Sequence, residues 1–362
     1  MVASKEMFPA LQGLRGLCFL LVFAGHAGSF SWLHAFGMLG AVGVSAFFVL
    51  SGFLMMFHYG GMKERLSVMD SFFFAVGRMK RIYGLHVLTT VTVFLVYVFL
   101  GGMPAAEYHL PGLPLNLLML QAWVPDIPRA TGLNGVSWYL SAVFFAYGCF
   151  PWLSCRIGRL GSRETVACLA GVIGLQIGGA LLATVVADGN KELFLYLTYV
   201  FPVFRLGDFV TGCLAGHWFK NGGRQLLAGA GRGIIFGSWL AATMLVCASV
   251  PFIGTEHSGL WLSAVLNETT AFILPGTVWV LLAAAGRGIS CRLLRLGPLV
   301  ALGNISGPAY LLHSMIILCC NAWLQKENIL LPGWQQGMLI AGELATTCLL
   351  SRLYMLRQRL AG

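Results

Sequence analysis

An arginine and a histidine stand eleven positions apart in an apolar stretch near the start of the chain. They are Arg15 and His26 in RGLCFLLVFAGHAG, residues 15–28. Since each helical residue turns about 100° and rises about 1.5 Å, both side chains share one helix face, about 16 Å apart along the axis. An imidazole can take a proton from a hydroxyl near neutral pH, so His26 is a candidate general base. Alternatively, both groups lie at the two membrane interfaces, where Arg15 snorkels to the headgroups.

A second candidate site combines basic and small residues further along the chain. Arg78 and Arg81 in RMKR are three positions apart, and two such guanidinium groups on a helix form a charged fork for phosphates. The same residues could instead anchor the chain at the membrane surface. Ser51 follows GAVGVSAFFVL, in which Gly40 and Gly43 allow another helix or a ligand to approach closely.

Ionisable residues inside apolar stretches are functional candidates by default. Arg205 and Asp208, three positions apart, are predicted to form an ion pair along one helix. His313 is either a hydrogen-bonded core residue or a functional group. The acids Glu268 and Glu343 are each expected to pair with a polar neighbour. His58 and His86 lie at the ends of predicted spans, where their imidazoles are expected to be exposed.

The composition defines the elements that must position these groups. Hydrophobic residues make up 58% of the chain and charged residues 10%, with a mean hydropathy of +0.80. Soluble domains carry about 25% charged residues, so the chain is predicted to be an integral membrane protein without a large soluble domain. The ten cysteines are scattered without C-x-x-C spacing, which predicts neither a disulfide framework nor a metal site. Arg15 interrupts the signal-peptide pattern, so the first helix is expected to remain in the mature protein.

Ten apolar stretches are long enough to span a bilayer, which predicts an all-α polytopic helix bundle of about ten transmembrane helices. Two connections between these stretches are longer than needed. Residues 59–83 resemble an interfacial amphipathic helix. The proline-rich residues 104–134 are predicted to form an outer cap with a short helix near Leu115 to Trp123. Pro202 and Pro275 are candidate helix breaks. The predicted spans are 10–29, 38–58, 84–103, 135–155, 165–187, 193–218, 233–253, 259–285, 298–321 and 334–354.

The distribution of basic residues predicts the topology. With a cytoplasmic N-terminus, the inner connections and both tails hold 18 of the 23 Lys and Arg residues, and the outer connections hold three. The positive-inside rule therefore places both termini in the cytoplasm. Basic connections at an anionic leaflet also explain the net charge of +10, so no nucleic-acid partner is expected.

These motifs together resemble the acyltransferase-3 family of membrane enzymes over nearly the whole chain. Arg15 and His26 are similar to its R-x10-H signature, residues 47–53 to its F-F-x-x-S-G-F signature, and Arg78 with Arg81 to its R-x-x-R pair. SWYLSAVFFAY from Ser137 and ISGPAYLLH from Ile305 resemble its W-x-L segment and the segment before its late histidine. Val143 departs from the pattern, because many members carry a glutamate there. Larger relatives add a soluble C-terminal domain, which is not expected here.

The resemblance implies transfer of an acyl group, expected to be acetyl, from cytoplasmic acyl-CoA to a hydroxyl of a sugar or lipid-linked glycan. His26 is the expected general base and Arg15 a second catalytic group, while Arg78, Arg81 and Ser51 are expected to bind the donor. A covalent acyl-histidine is an open alternative. The expected location is the bacterial inner membrane. The competing hypothesis is a proton-coupled transporter whose path uses His26, Asp208, Glu268 and His313.

Overall fold

The structure is a computed structural model that describes residues 8–27, 39–62, 66–249 and 269–360. Within these residues, nine helices are long and apolar enough to cross a membrane, and the apolar helix Thr270–Ala285 is shorter. The polytopic helical bundle predicted from the apolar stretches is therefore confirmed. We label the ten membrane-scale helices in chain order: α1 Pro9–Ala27, α2 Leu39–Tyr59, α3 Val68–His109, α4 Trp138–Ile157, α5 Ser162–Ala187, α6 Pro202–Trp218, α7 Arg232–Ser249, α8 Thr270–Ala285, α9 Gly297–Lys326 and α10 Gly333–Leu360.

The centre of the bundle is formed by α1, α2, α6 and α9. Helix α1 packs against both α9 and α2, and α2 packs against α6. Glycines permit the close approach: a side chain at Gly16 would overlap the backbone of Leu299, and one at Gly303 would overlap that of Gln12. Membrane helices associate largely through such close packing. The arrangement fixes α1, which carries Arg15 and His26, against α9, which carries His313.

The helices around this centre present apolar side chains outward. Leu175 and Val185 on α5 and Ile234 and Met244 on α7 are all more than half exposed. In water such a surface would be unfavourable, whereas lipid chains are as apolar as these side chains. The outer helices therefore have the surface expected of a protein embedded in a bilayer.

Helix α3 differs from the predicted organisation. Residues 68–83 of the predicted amphipathic segment 59–83 and the span predicted from 84 to 103 belong to one continuous helix, Val68–His109. The isolated glycines in this stretch cost only about 1 kcal/mol each in a helix, which is too little to end it. His86 consequently lies inside the bundle, where it is fully buried and its Nε2 is 2.7 Å from the carbonyl oxygen of Asn116. The prediction of an exposed His86 was wrong.

The two predicted proline breaks have different outcomes. Before Pro202 the chain forms a π-helical turn, Tyr196–Val200, and then an extended residue, Phe201, with φ −61° and ψ 122°. Pro275 instead lies within the continuous helix α8. In the connection predicted to form an outer cap, the short helix predicted near Leu115 to Trp123 is divided into Gly112–Leu117 and a 3₁₀ turn, Gln121–Trp123. Residues 259–268 of the eighth predicted span lie outside the described residues.

Connections predicted to be cytoplasmic meet at one end of the bundle. The Phe8 ring before α1 lies 5.2 Å from that of Phe57 at the end of α2, and the Lys220 ammonium is 3.5 Å from the Phe57 carbonyl oxygen. Nε2 of His217 on α6 lies 2.9 Å from the carbonyl oxygen of Leu160. The compartment that this end faces stays a prediction from the basic residues.

Candidate functional site

Two histidines from the central helices α1 and α9 contact each other. Nδ1 of His26 is 2.8 Å from the carbonyl oxygen of Val22 and 3.4 Å from Nε2 of His313. Nδ1 of His313 is 3.0 Å from the carbonyl oxygen of Ala309. A carbonyl oxygen only accepts hydrogen bonds, so we assign the proton to Nδ1 in both rings. Nε2 of His26 then carries the lone pair that a general base needs.

His26 lies in the wall of a cavity of about 540 Å³, a volume typical of small-molecule sites. Aromatic side chains form much of this wall, including Trp138, Tyr199 and Tyr310. Polar groups interrupt it, and the non-aromatic side chains with a hydroxyl or amide group are Thr131, Ser314, Asn321 and Gln325. The cavity therefore offers flat apolar surfaces together with hydrogen-bonding groups beside a histidine.

Arg15 belongs to a second group of polar side chains, which also includes Ser51, Tyr139 and Tyr147. Its guanidinium interacts electrostatically with Tyr139 and Tyr147, which lie two turns apart on α4. The Ser51 hydroxyl is 3.4 Å from that of Tyr139 and also hydrogen-bonds Tyr147. The structure thus brings Arg15 and Ser51, which are far apart in the sequence, to the same two tyrosines.

Tyr147, Tyr139 and Tyr310 connect this group to the histidines, and we call these three residues the tyrosine line. The rings of Tyr139 and Tyr310 lie 5.1 Å apart, and those of Tyr310 and His313 lie 5.9 Å apart. A continuous set of side-chain contacts therefore runs from Tyr147 to His313 and His26. Arg15 and His26 occupy different parts of this line and do not form one compact pair.

Arg78 and Arg81 occupy different environments. The Arg78 guanidinium lies over the ring of Tyr59 at 3.9 Å and over that of Phe74 at 5.0 Å, and it interacts electrostatically with Tyr147. Arg78 is thereby connected to the start of the tyrosine line. The Arg81 side chain is exposed, and its backbone carbonyl accepts hydrogen bonds from Tyr354 at 2.8 Å and Gln358 at 2.6 Å, both on α10.

Comparisons with known proteins identify the class to which this arrangement belongs. A family model described as an acyltransferase domain, Acyl_transf_3, matches residues 8–352. The chain belongs to the acyltransferase-3 family. The chain is also similar to acyltransferase MdmB of Streptomyces mycarofaciens, with 27% identity over 339 residues that cover 85% of this chain and 79% of MdmB. No solved structure matches the chain significantly. This acyltransferase-3 protein is therefore a membrane enzyme that transfers acyl groups.

Val143, where many acyltransferase-3 proteins carry a glutamate, has a defined place in the structure. It lies one turn from both Tyr139 and Tyr147 on α4 and is 4% exposed. A carboxylate at this position would lie on the helix between the two tyrosines, one turn from each. In this acyltransferase-3 protein an apolar side chain fills that place.

Some predicted candidates of the acyltransferase-3 protein lie away from the histidine pair. Arg205 and Asp208 form the predicted ion pair at 3.0 Å, and both side chains are fully buried. Glu343 on α10 is buried and hydrogen-bonds Cys320 on α9, as expected for an acid with a polar neighbour. Glu268 lies outside the described residues. Among the residues that the structure describes, there is no cluster of three metal-ligating side chains.

The tyrosine line was not identified from the sequence. Tyr139 and Tyr310 lie inside the two segments quoted for the family resemblance, SWYLSAVFFAY and ISGPAYLLH, so a signal for them was present. The spacing of Tyr139 and Tyr147 by two helical turns also places both hydroxyls on a similar face. Neither signal indicates the partner helix, because the contacts to Ser51 and Arg15 cross between helices.

Proposed function

We propose that this enzyme moves an acyl group, expected to be acetyl, from cytoplasmic acyl-CoA to a hydroxyl of a sugar or glycan-type acceptor. The proposal rests on the position of His26: its Nδ1 donates to a carbonyl oxygen, so its Nε2 lone pair is available, and the residue lines a cavity with aromatic and amide side chains. Aromatic faces pack against the apolar faces of sugar rings, and amides and hydroxyls hydrogen-bond their hydroxyl groups. The family membership supports transfer of an acyl group, and the cavity supports the class of acceptor.

In the proposed reaction, His26 acts as the general base. The acceptor oxygen attacks the thioester carbonyl carbon while Nε2 of His26 takes the hydroxyl proton. The new carbon–oxygen bond forms, the carbon–sulfur bond breaks, and the departing CoA sulfur receives the proton from His26. His313 touches the other nitrogen of the His26 ring and holds it in the tautomer that leaves Nε2 basic.

The donor is proposed to approach from the opposite end of the tyrosine line. Arg78 and Arg81 at the inner surface would hold the CoA phosphates, because guanidinium groups bind phosphate with two parallel hydrogen bonds. The pantetheine arm would then follow Tyr147, Ser51 and Tyr139 toward the cavity. Arg15 would orient the donor where it passes the two tyrosines.

The basic connections and the use of acyl-CoA favour a cytoplasmic inner face in a bacterial inner membrane. His26 then lies toward the far side, so the acyl group is delivered to an acceptor that enters the cavity from outside, such as a lipid-linked glycan. The transporter hypothesis receives less support, because Asp208 is paired with Arg205 and the family transfers acyl groups.

The deciding experiment measures acyl transfer directly. Purified enzyme in detergent or liposomes is given acetyl-CoA labelled in the acetyl group, with and without a panel of neutral glycosides and glycolipids. We expect label to move to at least one acceptor, with release of CoA in equal amount. A His58→Ala variant, which changes a histidine at the far end of α2, is the matched control for His26→Ala. Absence of transfer to every acceptor from acetyl-, propionyl- and longer acyl-CoA would contradict the proposal.

A further inference from the structure

The wall of the cavity contains a helix break that requires stabilisation. In an ordinary helix the carbonyl oxygen of Thr198 would accept a hydrogen bond from the backbone of residue 202, but Pro202 has no N–H. The hydroxyl of Thr269, next to α8, donates to this oxygen instead, at 2.7 Å. A side chain from another part of the chain therefore replaces the missing backbone donor.

Arg205 fixes that hydroxyl. Its Nη1 donates to Oγ1 of Thr269 at 2.7 Å, and since the hydroxyl has a single hydrogen, Thr269 accepts from Arg205 while donating to Thr198. Nη2 of Arg205 lies 3.2 Å from Oγ of Ser45 on α2 and 3.0 Å from Oδ2 of Asp208. The guanidinium is therefore held at three points and is fully buried.

The same turn carries a residue of the cavity wall. Tyr199 follows Thr198 in the π-helical turn Tyr196–Val200, lines the cavity, and has its ring 4.9 Å from that of Trp138. The Arg205 guanidinium carbon lies 5.5 Å from the centre of the Tyr199 ring. Short π-helical turns often occur at functional sites. Arg205 thus contacts the wall residue itself and, through Thr269, the backbone next to it.

We propose that Arg205 is a positioning residue for the acceptor: through Thr269 and the π-helical turn, it holds Tyr199 beside Trp138 in the cavity wall. This inference rests on the proposed function, since it assigns the cavity to the acceptor. A buried ion pair is weak evidence for stability, because apolar replacements of such pairs are often neutral or stabilising. If Arg205 holds the π-helical turn Tyr196–Val200 in place, the buried Arg205–Asp208 pair has a role beyond stability.

The most informative substitutions change Thr269, because they leave the buried charges intact. Thr269→Val has nearly the same shape but cannot bridge Arg205 and Thr198, whereas Thr269→Ser keeps the hydroxyl. Of the two hydrogen bonds that Thr269→Val removes, the one to Thr198 places the turn, and such a bond is worth about 1 kcal/mol, which corresponds to about a fivefold change in an equilibrium constant. We expect Thr269→Val to raise the KM for the acceptor about fivefold with the KM for acetyl-CoA unchanged, and Thr269→Ser to remain close to wild type.

A double-substitution test separates positioning from general destabilisation. Once Tyr199→Ala has removed the wall residue, adding Thr269→Val should change the acceptor KM little further, because both substitutions act on the same contact. Arg205→Lys keeps the charge but loses the planar fork, and should behave like Thr269→Val. Equal changes in the KM for donor and acceptor, or full additivity with Tyr199→Ala, would overturn the proposal. The acceptor in these assays is the glycoside that wild-type enzyme acetylates fastest in the panel described above.

Hydrogen exchange measures the positioning without any acceptor. In purified enzyme we expect faster amide exchange in peptides covering residues 196–201 for Thr269→Val than for Thr269→Ser or wild type, with exchange in α5 unchanged. Unchanged exchange in the turn would refute the role of Arg205 and Thr269 even if transfer is observed. If no glycoside is acetylated but the turn exchanges faster, the acceptor assignment fails while the structural part of the inference stands.

Discussion

Nδ1 of His26 lies 3.4 Å from Nε2 of His313, although the two residues are 287 positions apart in the sequence. Each ring also donates from Nδ1 to a carbonyl oxygen in its own helix, four residues earlier. These contacts make the tautomers of the two histidines interdependent. Of the two rings, that of His26 lines the cavity, which supports the proposal that His26 transfers the proton and His313 orients it.

Replacement of His26 with alanine should abolish acyl transfer without affecting membrane insertion. Alanine suits a helix at least as well as histidine, and general-base catalysis contributes about 10²–10⁴-fold to a rate. The measurement is transfer of labelled acetyl groups by purified protein, normalised to the folded yield. His58→Ala should retain activity. Turnover at the wild-type rate in His26→Ala would exclude His26 as the base.

Replacement of His313 with phenylalanine should lower kcat while leaving the KM for acetyl-CoA unchanged. The ring remains similar in shape, but the hydrogen bond that orients His26 is lost, so we expect a decrease of up to about tenfold. Steady-state kinetics with varied donor and acceptor test this. An effect as large as that of His26→Ala would mean that His313 itself takes part in proton transfer.

Substitution of Arg78 or Arg81 with alanine should raise the KM for acyl-CoA more than that for the acceptor. The reason is that the lost groups are proposed to contact CoA phosphates. Lysine at either position should restore affinity only partly, because an ammonium group lacks the planar fork. Lys80→Ala, between the two arginines, is the matched control for surface charge. Equal effects on donor and acceptor would favour a role in membrane anchoring alone.

The topology predicts opposite accessibility for two exposed positions. Tyr108 lies at the end of α3 and Arg159 beyond the end of α4. In a background without reactive native cysteines, a membrane-impermeant thiol reagent added to intact cells should label Tyr108→Cys and should not label Arg159→Cys. The reverse result would place Arg78 and Arg81 outside, in a compartment without acyl-CoA. The proposed direction of acyl delivery would then be wrong.

Several features followed from the sequence because their causes are local. The length of the apolar stretches predicted the membrane helices. The break before Pro202 was predicted because proline lacks a backbone N–H. The ion pair of Arg205 and Asp208 followed from a three-residue spacing on one helix. Local reasoning failed at His86, because the end of the predicted span was placed inside a helix that continues from Val68 to His109.

The sequence by itself therefore determined the class of fold, the helices that cross the bilayer and the family to which the chain belongs. Only the tertiary structure decided that His26 meets His313, that Arg15 and Ser51 share Tyr139 and Tyr147, and that Arg205 reaches the turn beside Tyr199. The physical reason is that helical periodicity specifies which face a side chain occupies but not which helix covers that face. That choice depends on close packing across the whole bundle, as at Gly16 and Gly303 between α1 and α9.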